Sequence, residues 1–219
     1  MSARILAIDT TGEIGSLALV EGGGVVDEMQ LQSPEGFAQI LFEALGRLLA
    51  ANSWRAGEID CFAAAAGPGA FTGVRVGLAA AKGLGEAFGK PVVAVSNLQV
   101  IAAFGSGPLR AVFFDARRGE IYGGVYNAAL DAVTPEVVAK FPAWIDSLPH
   151  AGIEFLTTNL APFRDALGGR TGVETPRALA GAIGRIAAAR LAAGLALDAA
   201  AIDANYVRRS DAEMFWKDV

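Results

Sequence analysis

Apolar positions in the first hundred residues change period several times. Arg4 to Ile8 is a short apolar run closed by Asp9, and Thr10-Thr11-Gly12 leads into a second run from Ser16 to Val20. Glu21-Gly22-Gly23-Gly24 then turns the chain into Val25 to Leu31. Short apolar runs punctuated by glycine predict a three-strand antiparallel meander. From Glu35 to Ala51 the period becomes helical, with Phe37, Ile40, Leu41, Ala44, Leu45 and Leu48 at three- and four-residue steps. Phe42 and Leu49 fall outside that stripe, giving the helix more apolar surface than one core contact needs. Ile59 to Ala66 follows as a buried strand, Gly67-Pro68-Gly69 as a turn, and Thr72 to Phe88 as a helix. Val92 to Val95 is a strand and Asn97 to Phe104 a short helix, so the pattern predicts a mixed sheet covered by helices.

Gly105-Ser106-Gly107-Pro108 marks a boundary, after which the pattern begins again. Arg110 to Phe114 is an apolar run closed by Asp115, 106 positions beyond Asp9, and Gly-Glu-Ile follows both carboxylates, at Gly12 and at Gly119. Strands from Glu120 to Tyr126 and through Val138 complete a second meander. The expected organisation is two related lobes, residues 1–105 and 106–219, the second trimmed after its meander. Phe141 to Leu148 gives a brief helix, Ile153 to Thr157 a strand, Leu160 to Leu167 a helix and Thr171 to Glu174 a strand. Thr175-Pro176 has the signature of a helix start and Gly194 that of a stop. Asn205 to Arg209 is expected to be extended, and Ser210-Asp211-Ala212-Glu213 is a capping-box pattern for a last helical turn.

Composition narrows the function classes. Hydrophobic residues are 53% and charged residues 19% of the 219, which excludes disorder. The net charge of −5 argues against a protein that grips a phosphate backbone unaided. Cys61 alone cannot form an intramolecular disulfide, and His150 alone cannot supply a histidine-based metal site. The N-terminal run meets Asp9 too soon for a signal peptide, and Pro91 to Leu109 is too polar for a membrane span, so a reducing cytosol is expected.

Several segments carry chemistry. Asp9, Thr10 and Thr11 offer a carboxylate, two hydroxyls and backbone N–H groups suited to a phosphate or Mg²⁺ contact, or alternatively to a turn closing the hairpin. Gly67 to Gly73 brings N–H groups to a helix N-terminus without matching a dinucleotide fingerprint or a P-loop. Asp115 stands beside Arg117 and Arg118, a pair able to meet phosphate or a partner's carboxylates. Gly73, Gly77, Ala81 and Gly85 form one row on a helix face. Each interior glycine costs about 1 kcal/mol relative to alanine, which close approach by another element offsets. That element is either the chain's own sheet or a partner helix. The expectation taken forward is a partner, with Phe37, Ile40, Leu41 and Ala44 completing the interface and Gly77→Leu breaking it without unfolding the lobe.

Ile5 to Thr11, Gly67-Pro68-Gly69-Ala70-Phe71-Thr72-Gly73-Val74-Arg75-Val76-Gly77, Asp115 to Tyr122 and Tyr206-Val207-Arg208 together resemble the bacterial TsaB (YeaZ) family over essentially the whole chain. The resemblance implies two ribonuclease H-like lobes of the actin/sugar-kinase/Hsp70 type, that is, α/β with mixed sheets flanked by helices. It implies a non-catalytic subunit in threonylcarbamoyladenosine synthesis on ANN-decoding tRNAs, activating the catalytic paralogue TsaD alongside the ATPase TsaE. The helices near 35–51 and 72–88 would pair with those of TsaD, or with a second copy when the chain is alone. Catalytic paralogues carry a histidine pair on the first helix of the lobe, absent from Ser33 to Gln39, so no metal and no catalytic residue is expected here. Ala116-Arg117-Arg118 replaces a glycine-rich phosphate loop, so ATP and Mg²⁺ are expected only in the assembled complex, with Asp9, Thr10, Thr11, Asp115 and Arg117 as nucleotide or phosphate contacts. Ala70 stands where the family commonly has serine. The rival reading is an ATP-dependent kinase-like or transferase enzyme using Asp9 and Asp115. A peptidase reading lacks a histidine placed to activate Cys61.

Overall fold

The computed structural model describes residues 2–149 and 151–208. The chain divides into two compact units, one built from Met1–Val100 and Arg177–Ala204, the other from Ile101–Pro176 and the chain from Asn205 on. In the first unit, β1 (Arg4–Asp9), β2 (Gly15–Glu21), β3 (Gly24–Leu31), β4 (Cys61–Gly67) and β5 (Val92–Ser96) form a sheet in the order β3-β2-β1-β4-β5. The meander pairs are antiparallel, and β1–β4 and β4–β5 are parallel. Three helices, α1 (Leu41–Ala51), α2 (Phe71–Phe88) and α3 (Asn97–Ala102), interleave with the strands.

Strand alternation sets the layers. Leu6, Ile8, Leu17, Leu19, Phe62 and Ala64 share one core with Leu41, Ala44, Leu45 and Leu48 of α1 and Val74, Leu78 and Ala81 of α2. The opposite face of the sheet holds α5 (Ala180–Ala192), which packs on β1, β2 and β4. A Cβ at Gly184 would stand 2.5 Å from the Val20 side chain, so only glycine permits this approach.

In the second unit, β6 (Leu109–Asp115), β7 (Ile121–Asn127), β8 (Val137–Ala139), β9 (Ile153–Thr157) and β10 (Gly172–Glu174) repeat the arrangement, in the order β10-β9-β6-β7-β8 with the same parallel and antiparallel pairs. Among the described residues of this unit a single short helix, α4 (Phe141–Asp146), follows the meander, as the trimmed lobe predicts. The core here is aromatic: the Phe113 ring lies 4.7 Å from Phe141 and 5.0 Å from Phe163.

Three sequence expectations change. The first break between the units falls after Val100, and residues 177–204 return to the first unit, so 106–219 is not one lobe. α5 begins at Ala180 rather than behind Thr175-Pro176, because its cap is tertiary. Ser16 Oγ accepts the N–H groups of Leu179 and Ala180 at 3.1 and 2.9 Å, and Glu28 Oε1 accepts that of Gly181 at 2.8 Å. Leu160 to Leu167 forms two 3₁₀ turns, Ala161–Phe163 and Asp165–Leu167, in place of a helix. The capping-box turn at Ser210–Glu213 lies outside the described residues. Among the described residues no helix is long and apolar enough to cross a membrane.

Candidate functional site

The β1–β2 turn and the start of α2 are locked together by side chains that the sequence marks as chemical. Asp9 is 1% exposed, and its Oδ1 accepts both the N–H of Thr11, at 2.9 Å, and its hydroxyl, at 2.7 Å. Burial pushes the Asp9 carboxyl above its ordinary range; the Thr11 bonds act against that push, and the charge of Glu28 adds to it. Asn97 Nδ2 donates to Thr11 Oγ1 while Asn97 Oδ1 accepts the N–H of Gly67 at 3.0 Å, tying β1, β4 and α3 to one point. Thr10 Oγ1 donates to the Gly73 carbonyl at 2.7 Å. Asp9, Thr10 and Thr11 are all buried, and their polar groups are satisfied inside the chain, so they form a structural clasp rather than an open phosphate contact.

This clasp explains the glycine row and corrects its expected direction. A Cβ at Gly73 would stand 1.9 Å from the Thr10 carbonyl oxygen, and one at Gly77 would stand 2.7 Å from Thr10 Oγ1. A Cβ at Gly85 would lie 2.5 Å from Val92 Cγ2, and Ala81 is fully buried. The row faces the chain's own sheet, so Gly77→Leu would disrupt the lobe itself. Phe37, Leu41 and Ala44 are likewise core residues, and Ile40 is half-buried against them. The interface expected at these eight positions is therefore an interior face, because a row of small residues specifies close approach without saying to what.

The outward faces of the same helices have a different character. Phe42 is 60% exposed and Phe71 43%. Gly46 in α1 and Gly83 in α2 are exposed mid-helix glycines with open space where a Cβ would point. Ala79, Gly83 and Ala87 recur every fourth residue on the outer side of α2, offset by two from the inward row. Arg75 lies over the Phe71 ring at 3.8 Å. Phe42 was visible in the sequence as surplus apolar surface. Phe71 and Gly83 were missed, although the two-residue offset of Gly83 from Gly85 was an available signal.

In the second unit Asp115 is exposed and accepts the N–H of Arg117 at 2.8 Å, so the two repeat-related carboxylates occupy opposite environments. Burial pushes the Cys61 thiol up to about 12, which leaves it protonated and a poor nucleophile. A cavity of about 230 Å³ in the first unit lies at the outer edge of β5, lined by Val92, Ala94, Arg190 and Leu197; none of the expected contact residues reaches it. Among the described residues no group of three His, Cys, Asp or Glu side chains is arranged to hold a metal.

Residues 18–200 match the model of the family described as TsaD, tRNA N6-adenosine threonylcarbamoyltransferase. The chain is 33% identical over 149 residues to the tRNA threonylcarbamoyladenosine biosynthesis protein TsaB of Bacillus subtilis, covering 66% of this chain and 65% of that protein. The structure of YeaZ from Pseudomonas aeruginosa superposes with a TM-score of 0.79 at 26% identity, covering 93% of this chain and 99% of that one. The chain belongs to the TsaD family, in its TsaB/YeaZ group. It spans between about half and two thirds of the length of the curated TsaB relatives it matches. A nucleotide-bound activator of 2-hydroxyisocaproyl-CoA dehydratase from Clostridium difficile shares the fold, with a TM-score of 0.52 at 8% identity over 89% of this chain and 97% of that one. The duplicated sheets and these neighbours agree with the expected ribonuclease H-like, actin-type architecture.

Proposed function

We propose that this TsaB/YeaZ-group chain is a non-catalytic subunit in the synthesis of threonylcarbamoyladenosine on tRNA, acting in the cytoplasm as scaffold and activator of a TsaD-type catalytic relative. The observation that carries the proposal is the outer surface of α1 and α2, where Phe42 and Phe71 are exposed and Gly46 and Gly83 leave room for another helix. Mid-helix glycines with no neighbour among the described residues cost about 1 kcal/mol each relative to alanine, and contact with a partner helix offsets that. The catalytic relative, built on the same fold, meets this face with its corresponding helices. A second copy of the chain covers it when the relative is absent. The ATPase TsaE and the tRNA join through the assembled complex, and ATP with Mg²⁺ binds only there.

The non-catalytic role is supported by what the repeat has done with its chemical groups. Asp9, Thr10 and Thr11 fasten α2 to the sheet, and the Cys61 thiol is buried. The test is reconstitution: the TsaD-type and TsaE-type subunits are incubated with threonylcarbamoyl donor, ATP and unmodified tRNA, with and without this chain. Modified tRNA is expected only when the chain is present. Equal product in its absence contradicts the role, and micromolar Mg-ATP binding by the isolated chain in calorimetry supports the kinase-like alternative instead.

A further inference from the structure

The outer edge of β5 carries a polar arrangement that the subunit pairing does not use. The Val92 N–H donates to the Leu197 carbonyl at 2.8 Å and the Leu197 N–H to the Val92 carbonyl at 3.1 Å, so the chain leaving α5 adds one antiparallel bridge to the sheet. A ladder of this kind would continue two residues on, between Ala94 and Leu195. Instead the Leu195 N–H turns back onto the Arg190 carbonyl at 2.8 Å, and the Ala94 carbonyl accepts Arg190 Nη1 at 2.7 Å. The cavity of about 230 Å³ opens where the ladder stops, with Ala94 and Leu195 both in its lining.

The lining holds one charge of each sign, and the two are not joined. Arg190 is half-buried and donates to two neutral oxygens, the Ala94 carbonyl and Gln99 Oε1, the latter also at 2.7 Å. Burial pulls its guanidinium below the ordinary arginine value, and among the described residues no carboxylate pairs with it. Asp203 is exposed at the same cavity; its Oδ1 accepts the Ala204 N–H at 2.7 Å, and among the described residues it makes no ion pair. Val92 and Ile202 are buried beside these charges, while Leu195 and Leu197 are 63% and 50% exposed.

We infer that this cavity binds a free α-amino acid with an aliphatic side chain, its carboxylate on Arg190, its ammonium on Asp203 and its side chain against Leu195, Leu197 and Ile202. A half-buried guanidinium without an acid is costly, and a ligand carboxylate offsets that cost through charge-assisted hydrogen bonds to the remaining guanidinium N–H groups. A ligand that is only an anion meets Asp203, and one that is only a cation meets Arg190, so the pair selects a zwitterion. The volume lies below the range of about 300 to 1,000 Å³ usual for drug-sized ligands and cofactors, which sets the ligand size at a small metabolite. The inference does not depend on the function proposed above.

The test is calorimetric titration of the full chain with L-leucine, with isocaproate, which lacks the ammonium group, and with isopentylamine, which lacks the carboxylate. The expected result is a dissociation constant of about 1 mM or tighter for L-leucine, and binding about tenfold weaker or more for each of the other two. Arg190→Gln is expected to abolish L-leucine binding. Asp203→Asn, at an exposed side chain, is expected to weaken L-leucine about tenfold while leaving isocaproate no weaker than on wild type. If Arg190→Gln fails to fold because the Ala94 carbonyl loses its donor, Asp203→Asn decides the matter alone. Absence of L-leucine binding up to about 10 mM overturns the proposal. Isocaproate or isopentylamine binding as tightly as L-leucine reduces the cavity to a site for a single charge and overturns it too, as does L-leucine binding that Asp203→Asn leaves unchanged.

Discussion

The two units share a strand order and differ in what joins the fourth strand to the fifth. The first unit inserts the 18-residue α2 between β4 and β5, whereas the second has only two 3₁₀ turns between β9 and β10. The first-strand carboxylates diverge in parallel: Asp9 is buried in a clasp that α2 needs, and Asp115, with no such helix to hold, is exposed on a hairpin. Duplication has kept the pairing of the strands while releasing the covering layers to take up different tasks. In the proposed function, the helix-rich unit presents a protein-binding face.

The comparison breaks most visibly at Gly73. Gly73→Ala drives a methyl into the Thr10 carbonyl oxygen 1.9 Å away, and a loss of about 3 kcal/mol or more is expected, read as a collapse of soluble yield or of the urea midpoint. Ser16→Ala leaves the N–H groups of Leu179 and Ala180 without their acceptor, for a loss of about 1 to 2 kcal/mol in the same assay. Gly83→Ala moves in the opposite direction, since its Cβ meets open space; the isolated chain is expected to gain about 0.5 to 1 kcal/mol. The subtlest effect is one of slope with pH. Because the folded-state pKa of Asp9 is raised, the native state binds more protons than the unfolded one between the two pKa values, so its contribution falls as pH rises through the folded value. Asp9→Asn is expected to remove that fall, so that its stability relative to wild type improves from pH 4 upward in urea titrations. A parallel pair of curves would refute the assignment.

Much of this architecture was legible in the sequence because strands announce themselves locally. The runs closed by Asp9 and Asp115 identified the duplication, and the strands of each repeat appear within a residue or two of their expected places, except β8, which begins only at Val137. What local patterns could not carry was destination. Nothing near Thr175 says that the next helix is capped by Ser16, 163 positions earlier than Leu179, and crosses to the first sheet. The small-residue row in α2 fixed a close approach correctly and its direction wrongly, since a glycine face packs as readily on its own sheet as on a partner. Asp9 and its threonines illustrate the same limit, because an Asx turn and a phosphate contact use identical residues and burial alone separates them.

The central claim is that the outer faces of α1 and α2, not the inner row, bind the catalytic relative. Its most direct test is the dissociation constant between this chain and a TsaD-type subunit, measured for wild type and for Phe42→Asp/Gly83→Arg, with the variant's melting temperature as control. Both positions are exposed, so the variant is expected to stay folded while binding weakens by about a hundredfold or more. A folded variant that binds with wild-type affinity would contradict the claim.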